Sequence, residues 1–385
     1  MKIALFGTGQ MGTTISHFVK RVRPECTITA YDQLSECPAG MKVDNYETLN
    51  VQVGSCGKNP LEGKKFDLAF SALPYFCNLA VANLCLTANV PYFDLGGSVP
   101  VSDNINYACK HSRKKKASLL GRPWPEYIPL FGSCPLPPGT VAIRPTLHGS
   151  VFTDLGLAPG WANILAEEAY RNLMDAGELP EHINMYCGGL PAEPYAGHID
   201  PFGYAVTWSK EGLYNEYVDK CLVLEGGETV SYDGMEGLEV LRTVELGVLE
   251  AFFTSGGASH TIDLMADRGV ENCSYKTLRY PGHCNLIRYF IRERGYDANG
   301  LVNLFTDHAE GDVIILQVRA KSRNLEYCKS HLIRSDEQFS AMQKATAAGF
   351  VAGALSSPQA NRPLTYADID IKKFNGLISE LGVLQ

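Results

Sequence analysis

Apolar and polar positions follow two different rhythms along this chain. Lys2 to Phe6 is a short apolar run suited to a buried parallel strand, and beyond it Ile15, Phe18, Val19 and Val22 recur at spacings of three and four, the apolar stripe of a helix. The alternation of strand and helix continues. Thr27–Tyr31 predicts a second strand ending at Asp32, Val43-Asp44 the end of a third, Phe66–Ser71 a fourth and Pro91–Leu95 a fifth, with a helix from about Asn78 to Thr87. Val151–Gly160 predicts the strand that closes this unit and Trp161–Leu173 the helix after it. From about Glu181 the texture changes. Stretches such as CLVLEGGETVSY and DVIILQVRAK alternate with period two around glycine turns, the pattern of an antiparallel sheet with hairpins. Helical periodicity returns over Met342–Leu355 and Lys372–Leu381.

The expected architecture is α/β: a Rossmann unit with a parallel sheet over residues 1–160, a second α+β unit with a mostly antiparallel sheet over 161–340, and helices over 341–385 that dock back on the first unit. A proline-rich segment with little periodicity, about residues 117–146, reads as an insertion in the first unit, a loop, lid or interface arm.

The turn between first strand and first helix carries candidate chemistry. LFGTGQMG places Gly7, Thr8, Gly9, Gln10, Met11 and Gly12 where a dinucleotide fold holds pyrophosphate. Gly7 permits a tight turn, Gly9 a close approach of phosphate to the backbone, and Gly12 close packing of helix on strand, with the helix's positive end facing the anion. A glycine triplet alone is a weak signal; here Asp32 also follows Gly12 by 20 positions at the end of the second strand. A carboxylate there accepts the ribose hydroxyls of NAD and repels the 2′-phosphate of NADP, and no Lys or Arg stands between Asp32 and Lys42. NAD is therefore the expected cofactor. Since ligands sit beyond the carboxyl ends of parallel strands, Val43, Asp44, Ala72, Leu73, Pro74, Asp94 and Gly96 are expected on the same rim.

Composition narrows the class. A net charge of −8 argues against a nucleic-acid surface, and no apolar run is long enough for a membrane span. Of twelve cysteines the closest pair, Cys77 and Cys85, is eight apart, so no metal site is expected and the thiols read as reduced core residues of a cytoplasmic protein without a leader peptide.

Longer segments carry a resemblance. DLGG at 94–97, DLGLAPGWANIL at 154–165, CGGLP at 187–191, WSKEGLYNEYVD at 208–219, LEAFFTSGGASHT at 249–261, YKTLRYPGH at 275–283 and DVIIL at 312–316 are similar, in order and spacing, to segments of the saccharopine dehydrogenase-like superfamily, and within it most like the lysine 6-dehydrogenases. The resemblance implies NAD-dependent oxidation at a carbon bearing an amine, an amino-acid substrate and a homodimer through the second unit, whose sheet would leave one face to cover. The segment at 117–146 has no counterpart in the lysine branch, which keeps saccharopine and carboxylated polyamines in play as substrates, with Arg242 and Arg288 as further carboxylate partners. A protein that binds NAD without turnover is the third possibility.

Such chemistry requires a group that accepts the proton of a substrate ammonium. Asp94 and Asp154, at strand ends, are candidates, as is His283; the aspartates also suit helix caps, and a lone histidine also suits a core. A substrate carboxylate calls for a planar cation. Arg279 is the first choice, with Thr254 as an extra donor, Gly256 allowing close approach, and Tyr204 and Trp208 walling an aliphatic stem. An internal salt bridge for Arg279, and core packing for both aromatics, stand beside those roles.

Overall fold

The computed structural model describes residues 1–51, 59–111, 149–192, 202–206, 210–305 and 311–384. Two sheets organise it. The first contains β1 (Lys2–Phe6), β2 (Thr27–Asp32), β3 (Asn45–Thr48), β4 (Leu68–Ser71), β5 (Tyr92–Asp94) and β6 (Val151–Phe152) in the order β3-β2-β1-β4-β5-β6. Every pairing in it is parallel, and the order reverses between β1 and β4, the crevice of a dinucleotide-binding fold. Between these strands run α1 (Gln10–Val22), α2 (Tyr75–Thr87) and α3 (Val99–His111). The α1 stripe read from sequence is the buried one: Ile15, Phe18, Val19 and Val22 all lie in the core.

The helix α4 (Trp161–Asp175) leads into the second sheet, which contains β7 (His182–Pro191), β8 (Cys221–Glu225), β9 (Glu228–Tyr232), β10 (Glu239–Thr243), β11 (Gly247–Phe253), β12 (Asn272–Arg279), β13 (Asp312–Lys321) and β14 (Glu326–Arg334). Its main path is β10-β11-β12-β7-β13-β14, with the β8–β9 hairpin attached to β12. All pairings are antiparallel except β7 with β12. Short helices α5 (Lys210–Val218), α6 (Thr261–Ala266), α7 (His283–Arg288) and α8 (Ala298–Val302) fill the connections.

α9 (Ala341–Ser356) and α10 (Ile371–Leu381) return to the first sheet as expected. Phe350 meets Phe70 of β4 edge to face at 4.9 Å, and Arg21 of α1 donates to the Leu381 carbonyl at 2.8 Å. One core cluster runs from β1 and α1 through α4 and α9 to β13. Within it the buried Glu167 carboxylate pairs with Arg171 at 2.7 Å and Arg268 at 2.6 Å, fastening α4 to the segment after α6.

Two strands differ from expectation. Val43-Asp44 precedes the third strand instead of ending it, because Asn45–Thr48 carries no apolar run to mark it. The closing strand is only Val151–Phe152; the apolar residues after it are buried in a loop, where burial without strand pairing looks the same in sequence. The proline-rich segment lies outside the described residues. Among those described, no helix is long and apolar enough to cross a membrane, and the cysteines are free.

Candidate functional site

The glycine turn folds as its spacing requires. Gly7 has φ +97° and sits so close to Ala72 that an added Cβ would lie 2.9 Å from the Ala72 carbonyl carbon. A Cβ on Gly12 would lie 1.9 Å from the Gly7 carbonyl oxygen, so helix and turn can approach only through glycine. A Cβ on Gly9, by contrast, would meet nothing within 4 Å: the turn leaves an open cradle there. α1 begins at Gln10-Met11 with no side-chain cap and no acidic residue in its first turn. Its leading N–H groups and positive end thus face the cradle. At the end of β2, Asp32 Oδ2 accepts the Thr8 amide at 2.7 Å and the Thr8 hydroxyl at 2.9 Å, while Oδ1 accepts the Leu34 amide at 3.2 Å. The geometry fits a dinucleotide: free helix amides, a cradle open only at Gly9, and a fixed carboxylate one strand away.

The remaining rim candidates separate. Ala72 follows β4 against Gly7, Leu73 packs beneath it, and Pro74 opens α2. Asp44 leaves the site. It stands level with Ile28 near the start of β2, accepts that residue's amide at 2.8 Å and pairs with Lys20 at 2.8 Å, at the sheet edge opposite the cradle. Val43 packs against the core. The residue at the rim end of β3 is instead Leu49, whose amide donates to the Asp32 carbonyl at 2.6 Å.

Beyond β5 and β6 two carboxyls are buried together. Asp94 Oδ1 accepts the Gly96 amide at 2.8 Å and the Asp154 amide at 3.0 Å, while Asp94 Oδ2 is buried with no partner among the described residues. Asp154 accepts the Ser102 hydroxyl at 2.7 Å and the Ser259 hydroxyl at 2.8 Å, one on each oxygen. Its φ of +63° is a left-handed conformation, and Gly96 (φ +83°) lies so near that a Cβ there would come 2.5 Å from Asp154 Oδ1. Burial, then the charge of Asp154, pushes Asp94 up to about 7. Burial also raises Asp154, against the two serine hydrogen bonds that lower it. Neither aspartate caps a helix.

The second sheet supplies a buried cation. Arg279, at the end of β12, is 3% exposed; its guanidinium lies 4.4 Å over the Tyr204 ring and donates to the Leu278 carbonyl at 2.9 Å. Its Nε has no partner, and no carboxylate lies within ion-pair distance of it among the described residues. Burial holds the Glu216 carboxyl up to about 7 against the pull of Arg279. The internal salt bridge is thus absent there, and Tyr204 serves the core and the cation at once. Thr254 shares a 2.7 Å hydrogen bond with Thr277 of β12, and Gly256 (φ +87°) faces open space. The loop from Thr254 to His260 runs from this strand end to Asp154. Arg288 donates to the Met235 carbonyl and Arg242 is exposed. Trp208 lies outside the described residues.

His283 is corrected to a core residue. Its Nδ1 meets the Phe202 carbonyl at 3.0 Å and its Nε2 the Tyr217 hydroxyl at 2.9 Å, within a cage that includes Phe252 and Phe305. Burial, then Arg279, pulls it down to about 3, so it stays neutral and both nitrogens are engaged. Sequence reasoning missed Ser102, Ser259, His260 and Tyr366, which gather around Asp154. Among the described residues no cluster of three or more His, Cys, Asp or Glu side chains could hold a metal ion.

Residues 156–357 match the saccharopine dehydrogenase C-terminal domain family. The rat mitochondrial alpha-aminoadipic semialdehyde synthase is 22% identical over 298 residues, 76% of this chain and 28% of that protein. The NADP(+), L-glutamate-forming saccharopine dehydrogenase of Schizosaccharomyces pombe is 26% identical over 153 residues, 38% of this chain and 34% of that one. The chain thus spans about a third or less of the curated relatives it matches. Among solved structures, the apo L-Glu-forming saccharopine dehydrogenase of Saccharomyces cerevisiae superposes with a TM-score of 0.70 at 12% identity, covering 100% of this chain and 98% of that one, a likeness of fold.

Proposed function

The chain belongs to the saccharopine dehydrogenase family, and from that premise we propose that it is an NAD-dependent oxidoreductase acting on a CH–NH group of an amino acid, the ε-amine of lysine first. The observation that supports this best is the buried Asp94–Asp154 pair at the rim of a dinucleotide-binding sheet, with an unneutralised Arg279 on the neighbouring sheet. When bound, a nicotinamide supplies the hydride acceptor. Gly7–Gly12 and α1 would hold its pyrophosphate and Asp32 its ribose. Arg279 takes the substrate carboxylate, and the aspartate pair takes the ammonium proton, so that a neutral amine can release hydride from its carbon. The imine that forms is hydrolysed to ammonia and an aldehyde.

An amine panel tests this: NADH production at alkaline pH with lysine, ornithine, saccharopine and carboxylated polyamines. Turnover of lysine with ammonia release is the expected result. Turnover of a secondary amine alone moves the protein to the saccharopine-type reaction, and NAD binding without turnover of any of them overturns the enzymatic assignment.

Cofactor choice rests on Asp32, and the fission yeast relative is named for NADP(+). Asp32→Ala is expected to weaken NAD at least tenfold, about 1.4 kcal/mol for lost charge-assisted hydrogen bonds, and to narrow the preference over NADP. Titration of both cofactors checks it; an unchanged ratio refutes the role. The reading also assigns a homodimer through the second sheet, whose β10–β11 hairpin exposes Val240, Val244 and Val248. Light scattering should give twice the chain mass, and Val244→Glu with Val248→Glu should halve it. A monomer in the unsubstituted protein contradicts the assignment.

A further inference from the structure

Asp154 is tied to a histidine that the reaction scheme does not use. Ser259 reaches Asp154 at 2.8 Å and His260 Nδ1 at 3.1 Å. The His260 ring stacks on Tyr366 at 4.3 Å with only 6° between planes, and the Tyr366 hydroxyl donates to the Asp154 carbonyl at 2.7 Å. Serine has one hydrogen, and an ionised Asp154 can only accept. With the Ser259 proton committed to Asp154, the 3.1 Å contact requires that His260 Nδ1–H donate to Ser259 Oγ. His260 Nε2 is then a bare nitrogen, buried without a partner among the described residues.

The two carboxyls are therefore unequal. Asp154 receives a hydroxyl on each oxygen, a hydrogen-bond set that favours its charged form. Asp94 has both its amide donors on Oδ1, and its Oδ2 has no partner among the described residues, so a proton would sit there without displacing either amide bond. Two buried like charges this close do not both ionise readily, so the environment decides which one holds the proton.

We propose that His260 is a positioning residue: by fixing the direction of the Ser259 hydroxyl it keeps Asp154 the charged member of the pair and leaves Asp94 Oδ2 as the atom that takes the proton. This role rests on the proton-accepting function assigned to the pair above. The other titratable groups here do not supply the asymmetry. The Tyr92 hydroxyl on β5 favours the charged form of Asp94, and Asp103 on α3 repels Asp154 and is itself raised by burial and by Asp263 of α6, so both work against the asymmetry. Asp368, in the turn beside Tyr366, favours protonation of His260, but burial wins and holds the imidazole neutral, down to about 4.

The test reads protonation directly, independently of turnover. Carbon-13 NMR of the full chain labelled at the aspartate side-chain carboxyls is followed against pH in wild type, His260→Phe, His260→Asn and Ser259→Ala. Phenylalanine keeps the stack on Tyr366 and loses the donor; asparagine can restore an N–H near the Nδ1 position. In wild type, one buried carboxyl should titrate in the neutral range while the other stays ionised well below it. In His260→Phe and Ser259→Ala the lower transition should move up by about one pH unit, the scale of one hydrogen bond to a charged group. His260→Asn should restore the wild-type curve. Identical titrations in all four, or a His260→Asn curve matching that of His260→Phe, would overturn the proposal, the latter because packing would then be all that His260 provides. If phenylalanine prevents folding, His260→Leu takes its place as the variant without the donor, and Ser259→Ala sets the size of the shift when the hydroxyl bond to Asp154 is lost altogether. A protein that turns over no amine yet shows these titrations refutes the functional assignment and leaves the positioning role intact.

Discussion

Asp94→Asn is expected to lower kcat by about 10²–10⁴-fold, the usual contribution of a positioned general base, while NAD binding stays unchanged. The substitution is conservative in the sense that matters. Asp94 Oδ1 holds the Gly96 and Asp154 amides, and an asparagine oxygen can accept the same two bonds. Only Oδ2, which has no partner, becomes an amide nitrogen that cannot take a proton. The wild-type pH–rate profile should fall as pH drops through about 7, where the carboxyl protonates, and the variant's residual activity should lack that limb. Stability moves in a definite direction too. A carboxyl whose folded pKa is raised contributes stability that is present at acid pH and lost as pH rises towards about 7. Relative to wild type, the variant should therefore gain stability between mildly acid and neutral pH. Kinetics against pH and thermal melts at two pH values check both; wild-type turnover in the variant would remove Asp94 from the mechanism.

Arg279→Met should cut kcat/KM for an amino-acid substrate by about 10²–10³-fold, corresponding to 3–4 kcal/mol for a buried, hydrogen-bonded charge pair. Arg279→Lys should recover little, because a point charge does not reproduce the planar fork or its stacking over Tyr204 at 4.4 Å. Stability should move the other way. A buried guanidinium with an orphan Nε, and no carboxylate in contact among the described residues, costs free energy on folding, so replacing it by a thioether of similar length should leave the melting temperature unchanged or raise it. That opposition separates a substrate-binding cation from an internal brace. A melting temperature lowered by several degrees with an unchanged KM would make Arg279 structural.

How much of this was legible in the sequence follows from where the signals are local. β1, β2 and β4 are buried on both faces and read as short apolar runs, and the turn, helix and acid of the cofactor cradle lie within 32 consecutive residues. The third strand, Asn-Tyr-Glu-Thr at the sheet edge, has no such run; hence the nearest apolar signal, Val43, points to a strand that ends where the actual strand begins. The surroundings of Asp154 were illegible for another reason. Ser102 arrives from α3 and Ser259 and His260 from a loop of the second sheet, 105 residues away for Ser259, and no spacing rule links them. In sequence His283 follows a glycine turn and is indistinguishable from an exposed base, whereas its cage of Phe202, Tyr217, Phe252 and Phe305 is assembled only by folding.

The central claim, hydride transfer from the amine-bearing ε-carbon of lysine, is tested most directly by supplying NAD⁺ with lysine carrying two deuteriums on that carbon and weighing the reduced cofactor. The assignment predicts that one deuterium passes to each NADH formed, with one ammonia released per NADH. Reduced cofactor without deuterium, or NAD⁺ that binds and is never reduced, would contradict it.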